Sequence, residues 1–554
     1  MKLKTIFTAA LLSGCPAAAL ACTGLIATPG ASADSSALVT YAADSHTLYG
    51  ELYHKPGGKH EKGSMREVVE WDTGKRLGEI PEVAETYTRI GNMNEHGLAI
   101  TESTWGGRHE LAGSGLIDYG SLIYITLERA RNAREALDVM TGLVRDYGYA
   151  SEGETFTIAD PNEVWIMEMI GKGKDDKGAV WVARRVPDGY IAGHANHSRI
   201  HKFPLKDKKK ETIYSPDVIK FARKKGYFDG KDEDFSFSRA YAEYDMGALR
   251  GCDGRVWSFY NRFVPDMDRY LPWILKGEGE PLPLWVKPTK KLTANDMKWM
   301  MRDHFEGTPL DMTKDAGAGA YKVPYRWRPL TYKVAGAEYT HERAIATQQT
   351  GFSLVAQLQA KAPESMKGIL WFGVDDANTS VYVPMYCCLT EAPYEYREGN
   401  GDLLNLSWDA AFWVTNFVAN QAYNRYSQMI PDIRRVQTAL EDSIEQEVAI
   451  LYREVPYLEA EAGRKLLRER SADWSKKCTD AYRALGERLL VKYLDGNIKK
   501  EDEKGNFART PEGMPTSPEF GGYDERYYRS IVADPEGGER LRVIEVPQSD
   551  TPAK

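Results

Sequence analysis

The chain has 554 residues, with 72 basic and 80 acidic side chains and a formal net charge of −8. That balance lacks the basic excess that nucleic acid or an anionic membrane surface attracts, and neither partner is expected. The length exceeds one ordinary domain, so we expect a large core or two units.

The first 21 residues have the pattern of a secretory signal peptide. Lys2 and Lys4 precede an apolar run over 5–13, and residues 19–21, Ala-Leu-Ala, form a small-x-small cleavage site. The apolar run is too short to span a bilayer, and no later stretch reaches the roughly 20 residues that a spanning helix needs. We therefore expect an exported chain, periplasmic or extracellular, that signal peptidase cuts after Ala21.

A second processing site is an alternative. Residues 12–15, Leu-Ser-Gly-Cys, resemble a bacterial lipoprotein signal, which would leave Cys15 lipidated. Residues 16–21 continue naturally as the end of a signal peptide, which favours cleavage after Ala21. The choice matters because lipidation at Cys15 would keep Cys22 inside the chain, whereas cleavage after Ala21 makes Cys22 the first residue.

The N-terminal part has the pattern of a mixed α+β fold. Residues 22–200 contain short apolar runs bounded by Gly, Asn or Asp-Pro, which predict strands. Between them, residues 120–148 have helical spacing, with Ala and Leu on one face and a Gly stop. Strands on either side of helical sequence predict packed layers of sheet and helix.

The rest of the chain changes character twice. Residues 215–310 are mixed and helical, and strand-like runs return over 310–400. Residues 404–496 have high helix propensity with apolar residues three and four apart, which predicts two or three packed helices. The expected organisation is a signal peptide over 1–21, a hydrolase domain over 22–403, a helical region over 404–496 and an extended or partly disordered tail over 497–554.

The cysteine count raises the question of a free thiol. After removal of the signal peptide five cysteines remain: Cys22, Cys252, Cys387, Cys388 and Cys478. An odd number leaves at least one thiol unpaired in an exported protein, where pairing is the default. That thiol is either a buried, inert cysteine or a nucleophile.

An N-terminal Cys22 would carry a thiol and an α-amine on one residue. A cysteine attacks as the thiolate and needs a base to reach that state at neutral pH. The α-amine has a pKa of about 7.7–8.0, against about 8.5 for the thiol, so it can take the thiol proton and later return it to a leaving amine. Most cysteines behind a signal site are not catalytic, so the surrounding residues must carry the assignment.

Those residues show a family resemblance. The stretch "CTGLIATPGASADSSALVTYAADSHTLYGELY" resembles the N-terminus of the dipeptidase A family, bacterial N-terminal-nucleophile cysteine hydrolases related to penicillin V acylase and the bile-salt hydrolases. The resemblance continues in order through "MNEHGLAITEST", "FTIADPNEVWIMEMIGKG", "DGYIAGHANHSRI", "GRVWSFYNRF" and "ATQQTGFSLVAQL", and covers most of 22–390. It implies a four-layer αββα core with a helical C-terminal extension. It also implies a cysteine dipeptidase that hydrolyses dipeptides through an acyl-enzyme on Cys22, without a metal or organic cofactor.

The resemblance assigns four catalytic residues. Cys22 is the nucleophile and its α-amine the general base, while Asp44 orients both groups. Asn196 directs its side-chain amide at the developing oxyanion. Arg255 lies near the nucleophile, with Arg250 as the alternative because the alignment is loose there. Taken singly, each of these residues also fits a turn, a cap or a surface ion pair, and their common order behind a cleavable cysteine favours catalysis.

Three further residues are substrate-site candidates. Glu102 and Thr104 occupy the place where bile-salt hydrolases keep a second oxyanion residue. Tyr41 stands where many relatives have an arginine, three residues before Asp44, which leaves open how the thiolate is stabilised.

Other chemistries fit less well. His194, His197 and His201 have a spacing that could bind zinc on a helix, but their stretch predicts a strand and turn, so we expect structural or substrate contacts. The same core with another pocket would give an acylase for a bile salt, penicillin or N-acyl amino acid. A peptide- or glycan-binding protein with an inactive site is the alternative from another class. Self-association into a homo-oligomer is left open.

Overall fold

The computed structural model describes residues 22–242 and 244–544. The predicted signal peptide and both of its candidate processing sites lie outside these residues. The strands run in chain order as follows: β1 (Gly24–Ala27), β2 (Ala37–Asp44), β3 (His54–Lys55), β4 (Gly58–Lys59), β5 (Met65–Val69), β6 (Arg76–Pro81), β7 (Glu85–Thr86), β8 (Arg89–Ile90), β9 (Met93–Asn94), β10 (Ala99–Gly106), β11 (Gly153–Ala159), β12 (Val164–Gly171), β13 (Ala179–Arg185), β14 (Ile191–His194), β15 (Thr212–Tyr214), β16 (Trp285–Val286), β17 (Thr331–Val334), β18 (Ala337–Thr340), β19 (Thr350–Leu358), β20 (Gly368–Val374) and β21 (Val383–Met385). The α-helices are α1 (Tyr119–Leu127), α2 (Ala133–Tyr147), α3 (Val218–Lys224), α4 (Phe237–Tyr241), α5 (Gly254–Phe263), α6 (Leu271–Lys276), α7 (Ala294–Met300), α8 (Ala411–Asn424), α9 (Tyr426–Glu454), α10 (Ala460–Lys492) and α11 (Glu525–Ala533).

Two large antiparallel sheets dominate the fold. The first, sheet A, has the order β16-β14-β1-β2-β19-β20-β21, and the second, sheet B, has the order β15-β13-β12-β11-β10-β9-β8-β3. Strands β2 and β12 are buried along their whole length, as expected of strands covered on both faces. Strands β1 and β2 of sheet A contact β10 of sheet B. The site residues predicted from the sequence lie mostly at this contact.

The predicted helical stretch over 120–148 forms two helices rather than one. The side chains of Asp118 and Asn132 cap α1 and α2, accepting hydrogen bonds from the backbone nitrogens of Ser121 and Glu135. Asn is a strong N-cap, so Asn132 begins a second helix within the periodic run. Helix α1 contacts β10 and α2 contacts β11, so both lie against sheet B.

The C-terminal helical prediction is confirmed over 411–492. Helices α8, α9 and α10 contact one another, and α8 and α10 also contact β20 and β21 of sheet A. The buried residues Trp474, Tyr482 and Leu489 of α10 belong to the same hydrophobic core as strands β1 and β2. The mixed α+β class is therefore confirmed, and the four domain boundaries stay a prediction.

Two further findings concern the described residues. None of their helices is long and apolar enough to cross a membrane. Their five cysteines, at 22, 252, 387, 388 and 478, form no disulfide.

Candidate active site

Cys22 lies immediately before β1, beside the end of β2. The backbone nitrogen of Thr23 donates to the Ala42 carbonyl (3.3 Å), and Ala42 donates back to Thr23 (3.0 Å). This register places Cys22 opposite Ala43, next to Asp44. The Cys22 side chain is 3% exposed and lines a cavity of about 210 Å³.

The structure gives each residue of the Cys-Thr-Gly motif a separate position. The Thr23 hydroxyl accepts a hydrogen bond from Arg255 Nη1 at 2.6 Å. A Cβ atom at Gly24 would lie 2.6 Å from two ring atoms of His194, so the ring needs a glycine there. His194 is held between the sheets by Ser103 on Nδ1 and Thr157 on Nε2, both at 2.7 Å.

Arg255 joins the nucleophile to the turn after β14. Its fully buried guanidinium donates to the Cys22 carbonyl (2.7 Å), to Asn196 Oδ1 (2.8 Å) and to the carbonyls of Ala195 (3.3 Å) and Gly251 (2.8 Å). Burial lowers the pKa of Arg255 to about 10, so the group is still cationic at neutral pH.

The alternative, Arg250, bonds instead to the carbonyls of Thr340 and Leu275, at 3.0 and 3.2 Å. The structure therefore brings Arg255, and not Arg250, into hydrogen-bond contact with Cys22.

Asn196 lies in that turn with a left-handed backbone, at φ 55°. Its Nδ2 donates to the Thr104 carbonyl at 2.5 Å. The turn is anchored by Glu168, which accepts from the backbone nitrogens of Arg199 (2.5 Å) and Ile200 (3.0 Å). Asparagine tolerates this conformation better than most residues, so the turn is built to present the side chain at this point. Its oxyanion role stays a prediction.

Asp44 is buried and paired on the side of Arg343. Its Oδ2 accepts from Arg343 at 2.6 Å and its Oδ1 from the Thr350 hydroxyl at 2.6 Å. Burial raises the pKa of Asp44, against the opposing charge of Arg343. The structure places Asp44 beside Cys22, and its orienting role toward the α-amine stays a prediction.

Tyr41, Glu102 and Thr104 form a polar cluster next to the thiol. Cys22 Sγ lies 3.8 Å from Tyr41 Oη, and the Tyr41 hydroxyl donates to Glu102 Oε1. The Thr104 hydroxyl donates to Glu154 Oε1 at 2.7 Å. Burial raises the pKa of the Cys22 thiol, and the charges of Glu102 and Asp44 add to that. The thiol therefore needs a nearby proton acceptor to react at neutral pH.

The cavity wall contains residues that the sequence analysis missed. Trp71 and Asp72, in the turn between β5 and β6, and Asn92, Tyr119 and Tyr124 all line the cavity. They come from loops and from α1, where no catalytic spacing exists, and only the high aromatic content pointed to such a wall. No Lys, Arg or His is among the described residues that line it.

The three histidines do not converge. His197 Nδ1 pairs with Asp253 at 2.9 Å, and His201 Nδ1 lies 2.9 Å from the Ser238 hydroxyl, while His194 bonds to Ser103 and Thr157. Within the two described ranges no group of three or more His, Cys, Asp or Glu side chains is placed to hold a metal ion.

Comparison with known proteins identifies the family. The profile of "Peptidase family C69" matches residues 21–439. A probable dipeptidase of Salmonella dublin is 24% identical over 66% of this chain and 81% of its own length. A probable dipeptidase A of Streptococcus pyogenes serotype M3 is 24% identical over 75% and 85%. Dipeptidase A of Lactobacillus helveticus is 22% identical over 58% and 59%. The resemblance to the dipeptidase A family is thus confirmed, and the chain belongs to peptidase family C69, a family of cysteine-type dipeptidases.

Proposed function

We propose that this chain is an exported dipeptidase whose nucleophile, Cys22, becomes the N-terminal residue when signal peptidase cuts after Ala21. The observation that carries the proposal is the position of Cys22 in a small cavity that offers acceptors for a substrate ammonium group and no cation. Family membership and the dipeptidase names of its relatives support the same reaction.

We also propose that the fold has the αββα layering of N-terminal-nucleophile hydrolases. Helices α1 and α2 contact β10 and β11 of sheet B. Helix α5 contacts β14 of sheet A, and α7 contacts β2 and β19. The two sheets contact each other through β1 and β2 against β10 and β11, which supports an order of helix, sheet, sheet, helix.

In the proposed reaction the Cys22 thiolate attacks the carbonyl carbon of the peptide bond. The former carbonyl oxygen then carries negative charge, and a preorganised donor such as the Asn196 amide stabilises it by about 3–4 kcal/mol. The protonated α-amine of Cys22 gives a proton to the departing amino acid. The same amine then activates a water molecule that releases the acyl group and restores the thiol.

The cavity favours a substrate with a free α-ammonium group. Asp72 is a solvent-accessible carboxyl, and Asn92 is 2% exposed with an Oδ1 atom that lacks a hydrogen-bond partner. Both are acceptors, whereas a bile salt, a penicillin or an N-acyl amino acid brings an anionic group and no ammonium. The volume of about 210 Å³ is also below the ~300–1,000 Å³ of pockets for drug-sized ligands.

The first experiment determines the intact mass and N-terminal sequence of the secreted, active protein, with and without a thiol-alkylating reagent. We expect a start at Cys22 and loss of hydrolysis on alkylation of that residue. A lipidated start at Cys15, or activity that does not depend on Cys22, would refute the mechanism and favour a binding protein.

The second experiment tests the substrate class with paired amides. We expect hydrolysis of free dipeptides and at least a tenfold loss for their N-acetyl forms. Asp72→Asn is expected to lower kcat/KM for free dipeptides by about tenfold, the low end of the ~1.5–3 kcal/mol of a charged hydrogen bond. The control Asp138→Asn removes an exposed carboxylate on α2 and is expected to match the wild type. Faster turnover of the acetylated amides would identify an acylase instead.

A further inference from the structure

We propose that Tyr41 and Glu102 form a proton path from the thiol of Cys22, and that Glu102 takes the thiol proton when the nucleophile forms. The inference rests on Cys22 being the nucleophile of the proposed function. It adds a second proton acceptor, on the buried side of the thiol, to the α-amine that the family resemblance implies.

The path consists of two contacts without solvent. The thiol of Cys22 lies within hydrogen-bond distance of Tyr41 Oη, at 3.8 Å, and the Tyr41 hydroxyl donates to Glu102 Oε1. Cys22 is 3% exposed, Tyr41 6% and Glu102 1%. A phenolic oxygen is both a donor and an acceptor, so Tyr41 can accept the thiol proton while it gives its own to Glu102.

A second carboxyl, Glu154, keeps Glu102 ionised and ready to accept. Thr104 pairs with Glu154 and Glu102 with Phe156 across β10 and β11, so the two glutamates are diagonal neighbours on one face of sheet B. Two adjacent buried carboxyls cannot both be charged, and one proton is shared between them. Burial and the charge of Glu102 raise the pKa of Glu154 well above its ordinary value, so Glu154 holds this proton.

The remaining oxygens agree with this assignment. The Oε2 atoms of Glu102 and Glu154 are buried and have no other hydrogen-bond partner among the described residues. A proton on Glu154 lying between the two carboxyls would satisfy both. The Tyr41 hydroxyl then meets the ionised member of the pair, which is the member able to accept a proton.

The step is balanced. The S–H bond of Cys22 breaks and an O–H bond forms at Tyr41 Oη, while the original O–H bond of Tyr41 breaks and a new one forms at Glu102 Oε1. One negative charge moves from Glu102 to Sγ, and nothing is oxidised or reduced. This proton path occupies the place where many relatives have an arginine, and it lets the α-ammonium of Cys22 act as the acid toward the leaving amine.

The charged and titratable neighbours of this path are known. Besides the thiol and Tyr41, Glu102 is faced by Glu154 of β11, by Asp72 of the β5–β6 turn and by three phenols of α1 and the following loop: Tyr119, Tyr124 and Tyr149. On the other side of Cys22 lie Asp44 and the Arg255 guanidinium. The two carboxylates oppose formation of the thiolate, so removal of the proton is the step that needs a dedicated acceptor.

The experiment measures alkylation of Cys22 without substrate, from pH 5 to 9, on the chain that begins at Cys22. Mass spectrometry of the Cys22 peptide separates it from the other four thiols. At pH 6 the α-amine, with a pKa of about 7.7–8.0, is protonated and cannot accept. We expect the wild type to keep reacting there, and Tyr41→Phe and Glu102→Gln to react at least about tenfold more slowly, with the difference shrinking toward pH 9.

The control is Tyr382→Phe, which removes another buried hydroxyl, bonded to Ser353 of sheet A at 2.9 Å and outside the cavity. It should follow the wild-type profile. Equal pH profiles for the wild type and Tyr41→Phe would overturn the proposal, and this variant removes one oxygen atom, so it carries the test even if Glu102→Gln misfolds. Because no substrate is present, the outcome is independent of which amide the enzyme hydrolyses.

Discussion

Replacing Gly24 with alanine tests the packing that places Cys22. The new Cβ would lie 2.6 Å from Cε1 and Nε2 of His194, so the ring must move by about 1 Å to reach the ~3.5–4.0 Å of ordinary contact. Ser103 and Thr157 hold both ring nitrogens at 2.7 Å, and burial lowers the pKa of His194 to about 3, so the ring is neutral.

The expected cost follows from these contacts. Overpacking a tight site costs about 1–3 kcal/mol, and the loss of one ring hydrogen bond adds about 0.5–1.5 kcal/mol. We therefore expect Gly24→Ala to lower the free energy of unfolding by about 2–4 kcal/mol and to reduce kcat, because Cys22 is two residues away. Urea unfolding monitored by tryptophan fluorescence measures the first effect and dipeptide hydrolysis the second.

The control is Gly58→Ala, at a strand glycine with nothing within 4 Å of the new atom. If Gly24→Ala is no more destabilising than Gly58→Ala, the packing argument is refuted. The double variant Gly24→Ala with His194→Ala should be less destabilised than the sum of the single variants, because each change removes one partner of the same clash.

Three further variants test the site and its support. Arg255→Lys keeps the charge but replaces the guanidinium fork that reaches Cys22 and Asn196, so we expect at least a tenfold lower kcat/KM, and an unchanged value would contradict the bridging role. Asn196→Ala is expected to lower kcat about 10²–10³-fold with little change in KM, and a loss below tenfold would exclude it as an oxyanion donor. Glu128→Gln tests stability against pH. Burial opposes ionisation of Glu128, but Arg66 and two other cations outweigh it and lower the pKa from 4.5 to about 2. The ionised carboxylate therefore stabilises the fold fully above pH 4.5, and this contribution is lost as the pH falls toward 2. Urea unfolding should show a deficit of about 3 kcal/mol at pH 7 that shrinks at pH 4 and pH 3, whereas a constant deficit would contradict the linkage.

Several parts of the fold followed from local sequence patterns. The C-terminal helices were predictable because propensity and apolar spacing are properties of consecutive residues. The strands around Cys22 and Asn196 were predictable for the same reason, from buried apolar runs with turn residues at their ends. The single helix expected over 120–148 was wrong in its continuity, because Asn132 caps a second helix inside the periodic run.

The candidate site combined both kinds of information. The order of motifs behind Cys22 pointed to Asp44, Asn196 and Arg255, and the structure brings them to one end of strands β1, β2 and β14. The wall formed by Trp71 and Asp72 had no such signal. A binding surface made of loops leaves no periodicity in the sequence, so these residues became visible only as neighbours of the cavity.

The sequence by itself determined the family, the mixed α+β class and the candidate nucleophile, because these depend on residue types at short and ordered spacings. Only the tertiary structure decided that Arg255, 233 positions from Cys22, bonds to its carbonyl. It also decided that Asp44 pairs with Arg343 and that Tyr41 meets Glu102. Contacts between sheets and between distant loops depend on how the layers pack, and packing joins residues whose separation along the chain carries no signal.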